Sequence, residues 1–267
     1  MKNFLAISIL LAITFISCDK GKTTEETSTE TAPMNKVENF SVDSLKVNDS
    51  LEIDKNLSVS FKSKVLFFHT VKDKALLDSI FAPEKIHLEE YSRENLTAVL
   101  NQKKKEFYDE QKEGLKDWKP DFKQNWNRNS DMNVFSNEND FMTIQYTSDS
   151  YTGGAHGYYY ETYKVFDLKN KKTVQLTDVA TDIDSKIWDK ILMDNFLQND
   201  SENGQAEMLL VKEIPLNNNF YFDKEYLYFL YNQYEITAYA AGPVLIKIPF
   251  SDIKPFLTAE FIKRQGL

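Results

Sequence analysis

The chain reads as an α+β protein, mainly antiparallel sheet with helices packed on it. Five segments have the length and residue types of strands: 57–68 (LSVSFKSKVLFF), 141–147 (FMTIQYT), 158–166 (YYYETYKVF), 226–231 (YLYFLY) and 244–249 (VLIKIP). Two longer segments, 92–118 and 182–197, repeat their apolar residues at helical spacing. The strands 141–147 and 158–166 are joined by a glycine-rich connection, Ser148 to Gly157, which makes them a hairpin.

Taken in order, the strand at 57–68 places Val59, Phe61, Ser63 and Val65 on one side. A short helix is expected at 73–81. In the helix at 92–118, Leu96, Val99, Leu100, Phe107, Leu115 and Trp118 form one stripe, with Ser92 as N-cap and Pro120 just past the end. This is the pattern of a helix laid on a sheet. After the hairpin, a tight turn at Asn170-Lys171 leads to a strand at 173–176. The helix at 182–197 then carries Ile187, Trp188, Ile191, Leu192 and Phe196. The last two strands precede a short terminal helix from Ser251. No internal repeat is evident.

Ahead of this body lies an export signal. Lys2 supplies a positive n-region, and Phe4 to Ile16 is an apolar run of 13 residues, too short for the roughly 20 that span a bilayer. Phe15-Ile16-Ser17-Cys18 resembles the lipobox cut by lipoprotein signal peptidase, and Cys18 is the sole cysteine of the chain. The expectation is a signal peptide at 1–17, lipidation of Cys18, and a membrane anchor in the cell envelope, at the outer membrane and facing the periplasm or the surface. From Asp19 to Glu38 there are no aromatic residues and little apolar content, so 18–40 reads as lipidated cysteine plus flexible tether. A coil of that length reaches on the order of 25 Å. With no second cysteine a disulfide is impossible, and stability must come from a packed core, for which 42% hydrophobic and 13% aromatic residues suffice.

The formal charge is −9; removing Lys2 with the signal peptide gives −10, and removing the five acids and three lysines of 18–40 leaves −8 on the body. An acidic surface repels nucleic acid and attracts basic partners. Motif chemistry is sparse. The sequence has no GxSxG, GxxxxGK, HExxH, CxxC or GxGxxG, and His69, His87 and His156 are scattered singly. No metal or cofactor is expected.

One segment stands out, Tyr151-Thr152-Gly153-Gly154-Ala155-His156-Gly157. Three glycines in five residues imply a backbone at positive φ or in close approach to a neighbour, with His156 held among them. A structural reading has the imidazole bonding backbone groups; a functional reading has the loop presenting His156 to a ligand. The structural reading is favoured, because no acid, cysteine or serine at suitable spacing accompanies the histidine. Candidate functional residues are therefore Gly153, Gly154 and His156, joined by Tyr158, Tyr159 and Tyr160 as aromatics able to stack on sugars.

GGAHG between aromatic strands is followed by Phe166-Asp167-Leu168, by Val174-Gln175-Leu176-Thr177-Asp178, by Tyr234-Glu235-Ile236 with Tyr239-Ala240-Ala241-Gly242-Pro243, and by Ile248-Pro249-Phe250. This set resembles the domain of unknown function shared by the extracellular part of RsiV-type anti-sigma factors and the non-catalytic part of PdaC-type peptidoglycan deacetylases. The resemblance implies an N-terminal α+β subdomain at 41–135 and an RsiV/PdaC-like domain at 136–267. Thr237-Ala238 stand where the family commonly has Ala-Pro.

The resemblance implies a binding module. RsiV-type ectodomains recognise lysozyme, but the transmembrane segment and sigma-binding region that signal this are missing here. So is the PdaC-type catalytic domain with its metal-binding Asp and His-x-x-x-His motifs. The expected ligand is a lysozyme-like basic protein or peptidoglycan. An envelope hydrolase built on His156 is the alternative.

Overall fold

The computed structural model describes residues 40–117, 119–200 and 204–267, and from Asn39 onward the chain forms one compact unit. The expected signal peptide at 1–17, Cys18, the expected tether as far as Asn39, and Trp118 lie outside the described residues.

The first hairpin pairs β1 (Val42–Asp54) with β2 (Leu57–Phe68). Helix α1 (Lys74–Phe81) follows, its first turn capped by the Asp73 carboxylate, which accepts the Leu76 N–H at 3.0 Å. Ser92 Oγ caps α2 (Arg93–Gly114) in the same way, accepting the Asn95 N–H at 3.1 Å. The chain then returns as β3 (Gln124–Glu138), parallel to β2, and turns through Asn139-Asp140 into β4 (Phe141–Tyr151). Both turn residues have positive φ, 53° and 63°, the backbone that a two-residue hairpin needs and that Asn and Asp adopt more readily than other side chains. Antiparallel β5 (Tyr158–Asp167) and the two-residue β6 (Lys172–Thr173) complete a six-stranded sheet in sequence order.

After α3 (Leu176–Val179) and α4 (Ile187–Asn199), a second sheet is built from β7 (Phe220–Phe222), β8 (Tyr226–Tyr231) and β9 (Val244–Pro249), all antiparallel. Two short helices, α5 (Phe250–Ile253) and α6 (Ala259–Gln265), close the chain.

The large sheet has two unlike faces. On one, Val59, Phe61 and Val65 of β2 and Met142, Ile144 and Tyr146 of β4 meet Ile80 and Phe81 of α1 and Leu96, Leu100 and Phe107 of α2. Each fully buried side chain of this size contributes roughly 1.5–3 kcal/mol. On the other, Phe141, Tyr163 and Val165 pack under the small sheet together with Trp188, Leu192 and Phe196 of α4 and Phe261 of α6. Beyond the small sheet this second face carries Lys62, Asn129 and Asp149 in one cross-strand row and Lys64, Asp131 and Thr147 in the next, all at least partly open to solvent.

Several elements depart from the sequence expectation. Strands β1, β3 and β7 were not anticipated, and β3 runs through the expected junction at 135/136, so both expected segments contribute to one sheet. Helix α2 ends at Gly114. The strand expected at 173–176 is cut to Lys172–Thr173, because the Asp178 carboxylate accepts the Gln175 N–H at 2.8 Å and starts a helical turn at Leu176. Asp182, at φ 50°, interrupts the segment expected to be helical from 182, and α4 begins at Ile187. No helix of the described residues is long and apolar enough to cross a membrane.

One ion pair ties the end of the chain to the large sheet. Asp167, at the end of β5 and with 2% of its side chain exposed, pairs with Arg264 of α6, whose guanidinium lies 3.9 Å from the Phe141 ring centroid.

Candidate functional site

The loop between β4 and β5 is shaped by its glycines. Gly153 and Gly154 have φ of 96° and 92°, where a Cβ is strained. At Gly157 the constraint is different: a Cβ there would sit 2.9 Å from the Ser150 carbonyl oxygen. The loop folds back on β3, so that Gly153 faces the Trp126 ring, and the Tyr151 hydroxyl donates to the Gly154 carbonyl at 3.1 Å.

This brings His156 to the surface. The imidazole is exposed, and its Nδ1–H donates to the Gly157 carbonyl at 2.9 Å. The same carbonyl accepts the Tyr239 hydroxyl at 3.0 Å, and the Tyr239 ring stacks on the imidazole with centroids 4.0 Å apart and planes 26° apart. Tyr234, 58% exposed, stands 5.7 Å from Tyr239 and 6.5 Å from His156. The two motifs singled out in the sequence, GGAHG and the segment Tyr234 to Pro243, are therefore one place in the fold. Among the described residues no acid, serine or cysteine side chain bonds the imidazole.

The three tyrosines that follow divide between the faces of β5. Tyr158 and Tyr160 are 55% and 36% exposed and lie parallel, 6.2 Å apart with 8° between their planes. Burial, then Tyr160 and Glu235, pushes the Tyr158 hydroxyl up from its ordinary value. Tyr159 points the other way and is tied down, its hydroxyl donating to Glu161 at 2.9 Å; burial and that carboxylate hold it well above the usual range. Glu161 also accepts from the Tyr163 hydroxyl and from Gln145, both at 2.6 Å. The open aromatics are thus Tyr158 and Tyr160 rather than Tyr159, joined on and beside this loop by the exposed His156 and Tyr234 and the half-buried Tyr239.

The outer edge of β5 is sealed by amide side chains from the small-sheet region. Asn219 and Asn232, 9% and 2% exposed, bond the backbone of Glu161 and Tyr163, making four hydrogen bonds of 2.8 to 3.0 Å. The sequence reading had missed these asparagines and had not placed Tyr234 or Tyr239 at the site. Tyr234 and Tyr239 carried a signal in their motif, whereas nothing distinguishes Asn219 and Asn232 from surface asparagines until the fold is known.

The three histidines are not gathered: His69 packs against Phe67, with centroids 4.8 Å apart, and His87 lies by Asp78. Among the described residues no group of three or more His, Cys, Asp or Glu side chains could hold a metal ion.

Comparison with known proteins agrees with this architecture. Residues 52–159 match the family described as deacetylase PdaC, and residues 167–251 match a protein family of unknown function, DUF3298. A crystal structure of a DUF3298 member from Bacteroides fragilis superposes with a TM-score of 0.70 at 22% identity, over 85% of this chain and 97% of that one. A DUF3298 structure from Pseudomonas aeruginosa gives a TM-score of 0.53 at 15% identity, over 83% and 96% of the two chains. No curated protein matches the chain. With one motif of the loop site in the PdaC-matching segment and the other in the DUF3298 segment, the chain carries a DUF3298/PdaC-like domain of the α+β class.

Proposed function

We propose that the protein is a cell-envelope lipoprotein, lipid-anchored through Cys18 at the outer membrane, whose body is a binding module. Recognition runs through the exposed aromatic surface around His156. The observation that carries this reading is the convergence of His156, Tyr158, Tyr160, Tyr234 and Tyr239 on and beside one loop, with the imidazole held by a backbone carbonyl and a tyrosine ring. The hydrolase alternative calls for a carboxylate beside His156, and the partner its Nδ1 has is the Gly157 carbonyl.

The partner chemistry best supported is a basic protein of the lysozyme kind. The body carries −8, which steers a cationic partner, and tyrosines are among the residues that most often anchor protein interfaces. A second reading, peptidoglycan, is favoured by the parallel pair Tyr158 and Tyr160, whose open rings offer stacking area to sugars.

Detergent-solubilised full-length protein should bind lysozyme, more tightly at low salt, because exposed charges are screened beyond about 10 Å at 0.1 M. Tyr158→Ala with Tyr234→Ala should abolish the binding. An unrelated basic protein of similar charge is the control, and equal binding of both at every salt concentration would reduce the reading to bulk charge. Salt-independent binding to purified peptidoglycan, lost on replacing Tyr158 and Tyr160, would replace the protein reading with the glycan one.

A further inference from the structure

Away from the His156 loop, the β3–β4 turn and the β7–β8 turn come side by side and leave a cleft of 340 Å³ between the two sheets. Its aromatic wall is built by an irregularity in β3. The β3–β4 register shifts between Val134 and Ser136, and the residue set free there is Phe135. Although 48% exposed, its ring meets two tyrosines edge-on, Tyr163 at 5.0 Å and Tyr221 at 4.9 Å. Tyr221 in turn stacks on Tyr228, 4.6 Å away and 9° from parallel.

The rim is acidic. Glu138, Asp223 and Glu225 line the cleft against one ammonium, Lys224, so its formal charge is −3 + 1 = −2. Lys224 itself reaches across the mouth to Glu138, 3.2 Å away. Both oxygens of Asp223 are already engaged, one by the N–H groups of Glu225 and Tyr226 and the other by the Tyr228 hydroxyl. Such a carboxylate has little left to offer a sugar hydroxyl. Burial, then Asp223 and Glu161, pushes the Tyr221 hydroxyl up to about 12, which agrees with a negative potential at this wall. Aromatic rings and carboxylates lining one space attract a cation. The chain uses the same contact elsewhere, with Lys247 placed 3.7 Å from the Tyr226 ring centroid.

From the charge and the aromatic wall together, we infer that this cleft receives an arginine or lysine side chain of a basic protein partner, which displaces Lys224 from Glu138. The inference rests on the basic-partner reading given above and names a second contact for it, remote from the loop.

The test uses full-length protein in detergent and two small probes, N-acetyl-argininamide and its neutral isostere N-acetyl-citrullinamide, with tyrosine fluorescence as readout. The arginine probe should saturate and the citrulline probe should bind at least about ten-fold more weakly. Phe135→Ala and Glu138→Gln should each weaken the arginine probe by about ten-fold, Glu138→Gln with unchanged melting and Phe135→Ala with a small loss from its two ring contacts but a folded protein, and Lys224→Ala should strengthen it by removing the internal competitor. Equal binding of the two probes, or arginine binding indifferent to Phe135→Ala and Glu138→Gln, would overturn the inference. Displacement of the arginine probe by a chitin oligosaccharide would overturn it in favour of a sugar site. If lysozyme binding is lost in the Tyr158/Tyr234 variant but untouched by the cleft variants, the cleft is wrong and the loop reading stands. If the arginine probe binds as expected while no basic protein does, the partner reading fails and the cleft stands.

Discussion

The side-chain amide of Asn232 closes on both backbone groups of Glu161, accepting its N–H at 2.8 Å and donating to its carbonyl at 3.0 Å. An asparagine amide has the donor and acceptor of a peptide unit, so Asn232 stands where a further strand would otherwise pair with the edge of β5. Asn219 repeats the arrangement between Glu161 and Tyr163. Sealing an edge in this way guards against pairing with another chain. Asn232→Ala should cost about 1–3 kcal/mol, because the Glu161 N–H loses its partner while the Glu161 carbonyl keeps Asn219. Urea unfolding measures the loss, and hydrogen exchange at the Glu161 amide should accelerate in the same variant.

The glycines of the loop should respond unequally to alanine. Gly153→Ala and Gly154→Ala each place a side chain at positive φ and should destabilise by about 1 kcal/mol. Gly157→Ala drives a methyl into the Ser150 carbonyl and should cost more, about 1–3 kcal/mol, with the loop displaced. Thermal melts rank the three, and a Gly157 variant no less stable than the Gly154 one would contradict the close approach.

Replacing His156 separates anchoring from stability. The imidazole is exposed and its main contact is the Tyr239 ring, a stack of the kind that contributes about 0.5–1.5 kcal/mol. His156→Ala should therefore lower stability by no more than about 1 kcal/mol while weakening capture of the partner. A large loss of stability with binding intact would make the residue purely structural.

Acid should weaken the Asp167–Arg264 pair. Burial alone would raise the Asp167 carboxyl, but Arg264 and then Asn170 more than offset it, and the group is held below its ordinary value of 3.8. A carboxylate lowered on folding adds stability above its unfolded value and loses it as pH falls through the folded one. Arg264→Gln leaves a buried charge uncompensated and should cost about 3–5 kcal/mol at neutral pH. In that variant burial dominates, so acidification relieves the penalty. The gap between variant and wild type should narrow from pH 7 towards pH 4, and a constant gap would show that the pair is not its source.

The anchor has its own test. Cys18→Ser should block incorporation of labelled palmitate and release the protein from the membrane fraction. Continued labelling would remove the lipoprotein half of the proposed function.

How legible each element was depends on what its residues face. Strands β2, β8 and β9 are apolar on at least one face and were readable from residue type and period alone. Strand β3 (QNWNRNSDMNVFSNE) was not, because one of its faces lies on the open polar side of the sheet, and asparagine is depleted in strands generally. In β1, Leu45, Val47, Leu51 and Ile53 do alternate, but Asp49 breaks the series and the signal was passed over. At the site, the positive φ of Gly153 and Gly154 was foreseeable from composition. The division of Tyr158, Tyr159 and Tyr160 between two faces followed from strand period, but which face stayed open depended on how far the helices and the small sheet reach. The stacking of His156 on Tyr239 joins residues far apart in the chain, and no local pattern announces it.

The single parallel pairing in the large sheet sets an order of assembly. β1 and β2 can close as a local hairpin, but the inner edge of β2 must wait for β3, which lies beyond α1 and α2 in the chain. Contacts this distant in sequence close slowly, and an apolar strand with a vacant edge is prone to wrong pairing in the interval. Helices α1 and α2 lie between β2 and β3 in the chain and pack on the apolar side of the hairpin, so they can cover it before the third strand arrives. The same two helices that complete the finished core can therefore serve first as a cover for an unfinished sheet.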